Sequence, residues 1–280
     1  MQAFTPLGPW AALRQHWPYY VAEAVGLGLF VVFSCLTAVF FNHPDAWGRR
    51  WLGESEWLRR AATGAVMCGV LIFVSYNTWG KRSGAHINPA VTVGFWQLGG
   101  MRGIDAVWYI AWQFAGALAT GWLMLALLHR WYPHPDVHYN ITKPGPGGWA
   151  LAFGAEFIIS GILMGVLLYA LHSATLKKVA GLLVGGLVWL YILFETPLSG
   201  MSLNPGRSLG TAVAAGQYPA LWVYFVAPTA AMWVAAVLFR RFYKGEPLTV
   251  AAVCGGQDAP TEGPFARGPV QYPDAQAAKN

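Results

Sequence analysis

Two short stretches carry the residues best placed to do chemistry. Ser83 to Thr92 reads SGAHINPAVT, and Ser199 to Gly210 reads SGMSLNPGRSLG. Asn is a favoured helix cap and Pro a favoured first helical residue, so Asn88-Pro89 and Asn204-Pro205 each predict the start of a short helix. An Asn amide beside the unpaired N–H groups of a helix start is a hydrogen-bond donor set at the positive end of a dipole. Such a set suits a neutral, oxygen-bearing molecule and opposes a cation, including a proton carried along water. Arg207, three residues after the second Asn, adds a full positive charge. The chemistry is selection, not reaction. The sequence carries no nucleotide-binding Gly-rich loop and no soluble catalytic domain, so it reads as a non-enzyme that needs no cofactor.

The elements that position these residues follow from composition. The chain has 280 residues, 56% hydrophobic and 11% charged, with a mean hydropathy of +0.41. A soluble domain carries roughly 25% charged residues, so this chain reads as an all-α integral membrane protein. Six segments are long and apolar enough to span, at 19–41, 61–80, 106–129, 149–171, 178–195 and 219–240. Segments 89–98 and 205–216 are too short to cross alone and read as re-entrant half-helices. The first run is long enough to be a retained helix and lacks a small-residue cleavage pattern, which argues against a signal peptide. The net charge of +6 comes from basic residues scattered at loop positions. That scatter fits anchors beside membrane lipid, with no nucleic-acid partner. Cys35, Cys68 and Cys254 show neither metal nor CxxC spacing.

Three spans plus a half-span, repeated, place equivalent segments in opposite orientations, an inverted repeat. AEAVGLGLFVVF from Ala22 and AEFIISGILMGVLL from Ala155 open the two repeats, each with an intramembrane Glu. The reading divides the chain into an N-terminal cytoplasmic segment 1–18, a channel domain 19–243 and a disordered cytoplasmic tail 244–280. The first repeat covers about 19–129 and the second about 149–243. With both termini inside, nine basic residues flank the spans on that side (Arg14, Lys81, Arg82, Arg102, Lys177, Lys178, Arg240, Arg241, Lys244) against six outside (Arg49, Arg50, Arg59, Arg60, Arg130, Lys143).

In a membrane, irregular backbone is tolerated only where it is buried in protein or lines a watery cavity. Glu23 and Glu156 therefore read as scaffold acceptors for the N–H groups of the chain before each half-helix, in preference to a proton relay. His86 reads as pore lining, Asp105 as a helix cap and Glu195 as a structural group near a loop. Asn140-Ile-Thr matches a glycosylation acceptor, a frequent chance match.

The motifs SGAHINPAVT and SLNPGRS, with Glu23, Glu156, QFAGA from Gln113 and WVYFVAP from Trp222, resemble the major intrinsic protein family of aquaporins and glycerol facilitators over residues 19–243. The resemblance implies a homotetramer with one pore per subunit, in a plasma membrane or bacterial inner membrane, with both termini cytoplasmic. It maps the pore motifs onto Asn88, Pro89, Ala90 and Asn204, Pro205, Gly206, the last in place of the usual Ala. Counted without gaps, it maps the selectivity constriction onto Cys68, Ile192, Met201 and Arg207. Strict water channels have His where this chain has Ile192, while Ser208 and Tyr224-Phe225 match the water-channel branch. The leading expectation is a passive pore for water that excludes ions and protons, with small neutral solutes left open. The alternatives are a broader facilitator of glycerol, urea, hydrogen peroxide or gas, and a closed-pore structural protein, motivated by the aromatic WGRRWLGESEWLRR segment.

Overall fold

The computed structural model describes residues 8–243. Helices α1 (Pro9–Asn42), α2 (Trp47–Leu52), α3 (Glu56–Tyr76), α4 (Thr78–Ser83), α5 (Pro89–Gln97) and α6 (Gly103–Leu127) form the first repeat. Helices α7 (Gly148–His172), α8 (Ala180–Phe194), α9 (Thr196–Ser199), α10 (Pro205–Ala215) and α11 (Leu221–Phe242) form the second. The described residues contain six helices long and apolar enough to cross a membrane. The expected tail 244–280, and Cys254 within it, lie outside the described residues.

The repeats interlock. α1 packs on α6 as α7 packs on α11, and α3 meets α8 across the middle. The half-helices exchange partners: α5 packs on α11 of the other repeat, and α10 packs on α6. Nine residues in α5 and 11 in α10 give about 13 and 16 Å at 1.5 Å per residue. Stacked end to end, they match a hydrocarbon core of about 30 Å. Exposed Trp10, Trp17, Trp57, Trp149 and Trp222 lie near helix ends, where an aromatic belt meets the lipid headgroups.

The structure adds to one sequence expectation and corrects another. α1 starts at Pro9, so residues 9–18 of the expected N-terminal segment 1–18 are helical and continuous with the helix of the first span. Polar His16 hid this extension. It is buried, and its Nδ1 lies 2.7 Å from Asp105 Oδ1, which also accepts from Tyr20 Oη at 2.6 Å. Asp105 is therefore a buried tie between α1 and α6, while the cap position of α6 is Arg102. The second span ends at Tyr76 because Asn77 turns the chain and caps α4, its side chain accepting from Trp79 N and Gly80 N at 2.8 Å each.

Helix crossings are close where side chains vanish. A Cβ on Gly116 would lie 2.3 Å from Ala24 O, and one on Gly121 only 2.1 Å from Gly210 O. Both clashes are with backbone, so no rotamer relieves them. Gly121→Val should lower stability by about 3 kcal/mol or more, the upper end for overpacking. Gly69, in α3 with open space around its Cβ position, should as Ala gain about 0.5–1 kcal/mol of helix stability. Thermal unfolding and size-exclusion profiles in detergent check both.

Candidate functional site

The site is built by two loops with the same backbone. Before the first Asn, Gly84, Ala85 and Ile87 have φ of 87°, 50° and 39°; before the second, Gly200, Met201 and Leu203 have 82°, 51° and 59°. Left-handed backbone at non-Gly residues is costly, most of all at β-branched Ile87. Each loop is held by one carboxylate that is fully shielded from solvent. Glu23 accepts from His86 N at 3.1 Å, Ile87 N at 2.6 Å and Gln113 Nε2 at 2.7 Å. Glu156 accepts from Ser202 N at 2.7 Å, Leu203 N at 2.8 Å and Ser199 Oγ at 2.7 Å. In both repeats the N–H groups are those one and two residues before the Asn.

The Asn residues close a reciprocal clasp. Asn88 Oδ1 accepts from Ala90 N at 2.9 Å, and Asn204 Oδ1 from Gly206 N at 3.0 Å and Arg207 N at 3.2 Å. Asn88 Nδ2 donates to Leu203 O at 2.9 Å, and Asn204 Nδ2 donates to Ile87 O at 2.8 Å. An Asn amide has two N–H groups. One from each residue fixes the opposite loop, and one from each makes no hydrogen bond among the described residues. The proline-started helices abut here: a Cβ on Gly206 would lie 3.5 Å from Pro89 Cδ and 2.7 Å from Leu27 Cδ2. Leu27 of α1 thus fills the space of the methyl absent from Gly206.

Two cavities flank the clasp. One, of about 500 Å³, is lined by Phe30, Thr63, Met67, Ile192, Met201, Ser202 and Arg207 and widens past Asn42, Arg59 and Asp136. The other, of about 60 Å³, is lined by Leu71, Ser75, His86, Asn88, Leu163, Val188 and Asn204. Phe30, Met201 and Ser202 line both. Ile192, Met201 and Arg207 thus come together as expected. Cys68 does not line this wall: its Sγ faces α8, 3.1 Å from where a Cβ of Gly185 would sit. Thr63, Met67, Leu71 and Ser75 share one face at four-residue spacing, and Cys68 is turned about 100° from Met67. Counting back without gaps therefore missed by one residue, and Met67 occupies the wall.

Arg207 is buried, and its guanidinium points at the segment between the repeats. Nη1 donates to Thr142 Oγ1, and Nη2 to Asn140 Oδ1 at 3.4 Å. Thr142 Oγ1 lies 2.8 Å from Ser208 Oγ, which lies 2.6 Å from Ser202 Oγ, so the network returns to the second loop. Asn140 also donates through Nδ2 to Ser34 Oγ at 2.7 Å. His138, Tyr139 and Asn140 all have positive φ, a tight left-handed turn that aims Asn140 at Arg207. Burial, then the charge of Lys143, holds the His138 imidazole below its ordinary range. Asn140 and Thr142, met in the sequence as a glycosylation triplet, are the residues that orient Arg207. The sequence offered no signal for this beyond two polar side chains inside a Pro- and Gly-rich loop.

His86 lies on the smaller cavity, stacked on Phe95 at 4.7 Å, with Nδ1 3.2 Å from Thr92 Oγ1. Glu195 is buried off both cavity walls, and neither carboxylate oxygen has a partner. Among the described residues no cluster of three potential metal ligands occurs.

Spanning helices, two half-helices meeting at their N-termini and cavities on either side of that meeting point define a multi-pass membrane protein. The chain belongs to the major intrinsic protein family, whose sequence pattern matches residues 11–239. It is 38% identical over 194 residues to aquaporin NIP1-1 of Arabidopsis thaliana, covering 66% of this chain and 64% of that protein. It is 32% identical over 210 residues to aquaporin NIP2-3 of Zea mays (74% and 64%), and 36% identical over 167 residues to aquaporin NIP3-1 of Oryza sativa subsp. japonica (59% and 52%). The chain therefore spans between about half and two thirds of the length of these relatives. The aquaglyceroporin of Plasmodium falciparum shares the fold, with a TM-score of 0.62 at 22% identity over 79% of this chain and 95% of that one.

Removing one carboxylate should undo one loop. Glu156→Ala strands the N–H groups of Ser202 and Leu203, at roughly 1–3 kcal/mol each for a buried unpaired donor. Glu23→Ala should cost a similar amount through His86 and Ile87. Thermal unfolding in detergent checks the loss, and equal melting of the variants and the parent would remove the carboxylates from this role.

Proposed function

We propose that the chain is a passive pore for water and for small uncharged solutes of glycerol and urea size. This broader facilitator reading is preferred to strict water selectivity. The observation that carries it is the wall opposite Arg207: Phe30, Met67, Ile192 and Met201 are apolar, and two of them are flexible thioethers. A polyol has a hydroxylated edge and a carbon edge. Arg207 and the loop backbone offer hydrogen bonds to the first, and this wall offers contact to the second. Strict water channels place a His at the position of Ile192; here that polar, narrowing group is replaced by a side chain that cannot hydrogen-bond. The family and the aquaporin names of its relatives support a channel.

In this reading Asn88 and Asn204 each offer their remaining N–H to the passing oxygen, and Arg207 with the two helix N-termini opposes cations. Glu23 and Glu156 hold the loops and do not act as a proton relay. The Arg207 mouth faces outward, both termini are cytoplasmic and the assembly is a homotetramer, as in the family the chain resembles. The excess of basic residues on the opposite mouth supports that sidedness.

Stopped-flow light scattering of proteoliposomes tests the reading. Shrinkage under an impermeant osmolyte followed by fast reswelling under glycerol or urea gradients is the expected result. Ile192→His should reduce glycerol entry by about tenfold or more, in the range of steric discrimination at a fitted pocket, while water flux stays comparable. Water flux without solute reswelling in the parent would return the chain to the strict water-channel reading. Fluxes equal to bare lipid would make it a closed, structural protein.

A further inference from the structure

We propose that the large vestibule on the Arg207 side contains a binding site for a small carboxylate, seated on the guanidinium of Arg59, and that its occupant obstructs the pore mouth. The obstruction, though not the binding, rests on the pore reading above.

Arg59 lies in the first turn of α3, is 8% exposed and lines the 500 Å³ cavity together with Arg207. Its Nη1 donates to Gly53 O at 3.0 Å, which fixes the guanidinium plane. Its Nε is buried without a hydrogen-bond partner, and Nη2 makes no hydrogen bond among the described residues. Among these residues no carboxylate lies within 4.0 Å of Arg59 or of Arg207. Nη2, which unlike Nε is not enclosed, is the atom that offers a carboxylate oxygen a charge-assisted hydrogen bond. A buried guanidinium with an unused edge and no counterion leaves a net positive field in a poorly screened place.

The same vestibule also carries acids, and their placement decides the sign. Glu54 is paired with Arg49 at 2.6 Å and cancels it. Glu56 and Asp136 are exposed at the rim, where water and salt screen them. Arg60 turns its Nε toward Glu56 O, a main-chain acceptor, and keeps its charge. The deep part of the vestibule is therefore cationic and the rim mixed. A small carboxylate fits there, drawn inward by Arg59 and Arg207.

Oxalate is a suitable probe, because it is planar and remains charged at neutral pH. Isothermal titration of the full-length protein in detergent should show saturable oxalate binding. Arg59→Gln should weaken it at least about tenfold, the loss of a charge-assisted pair. Arg59→Lys keeps the charge without the planar edge, so it should fall between the two. In proteoliposomes, external oxalate at matched ionic strength should remove most of the solute flux of the parent and little of that of Arg59→Gln, each read against its own flux in chloride. Sulfate should be the weaker ligand and blocker. Undetectable binding by the parent, equal binding by Arg59→Gln or Arg59→Lys, or equal effects of sulfate would each overturn the site. Binding without a change in flux would overturn the obstruction. Absence of flux in chloride would fail the pore reading alone, leaving calorimetry to decide the site.

Discussion

The interaction on which the rest depends is a buried carboxylate holding two backbone N–H groups. Irregular chain in the middle of a membrane protein has no water to satisfy it, and each loop here also carries left-handed residues that an L-amino acid resists. Glu23 and Glu156 meet both demands at once. With the loops fixed, Asn88 and Asn204 can each spend one N–H on the opposite loop and keep one free. With the Asn pair fixed, the half-helices start where they do, and their dipoles meet at the same point.

A second constraint works from outside the repeats. Arg207 is not paired with a carboxylate among the described residues, so its charge is not cancelled by a salt bridge there. Its partners are instead neutral oxygens, on Thr142 and Asn140. Those oxygens are brought to it by three successive left-handed residues, and the hydroxyl chain through Ser208 and Ser202 links them back to the second loop. The guanidinium is thus positioned with its charge intact, in a cavity whose walls are otherwise largely apolar at this depth.

Much of the fold was legible because membrane physics leaves few options: long apolar runs must be helices, and a repeated Asn-Pro in such a chain must start something short. Spans from the second to the sixth lie within a few residues of their predicted bounds, and the loop role of Glu23 and Glu156 followed from counting unpaired N–H groups. What failed was rotational or long-range. Cys68 and Met67 are adjacent in sequence but about 100° apart on a helix, and a gapless count cannot tell which faces the cavity. The extension of α1 was hidden by His16, whose partner Asp105 is distant in sequence. Asn140 and Thr142 act through a turn that no periodicity marks. Leu27 fills the space left by Gly206, a compensation visible only when α1 is seen against the clasp.

The exchange of half-helices between repeats has a consequence for how such a chain matures. α5 rests on α11 and α10 on α6, and the hydrogen bond from Asn204 to Ile87 spans 117 residues. During synthesis the first half-helix is made long before its main support, so its strained loop and buried Glu23 must wait in a partly built bundle. Contacts of such long sequence separation form late and slowly. The clasp between the two loops is then the last part to assemble, and a chain stalled before its sixth span leaves a set of inserted helices around an unsupported first loop.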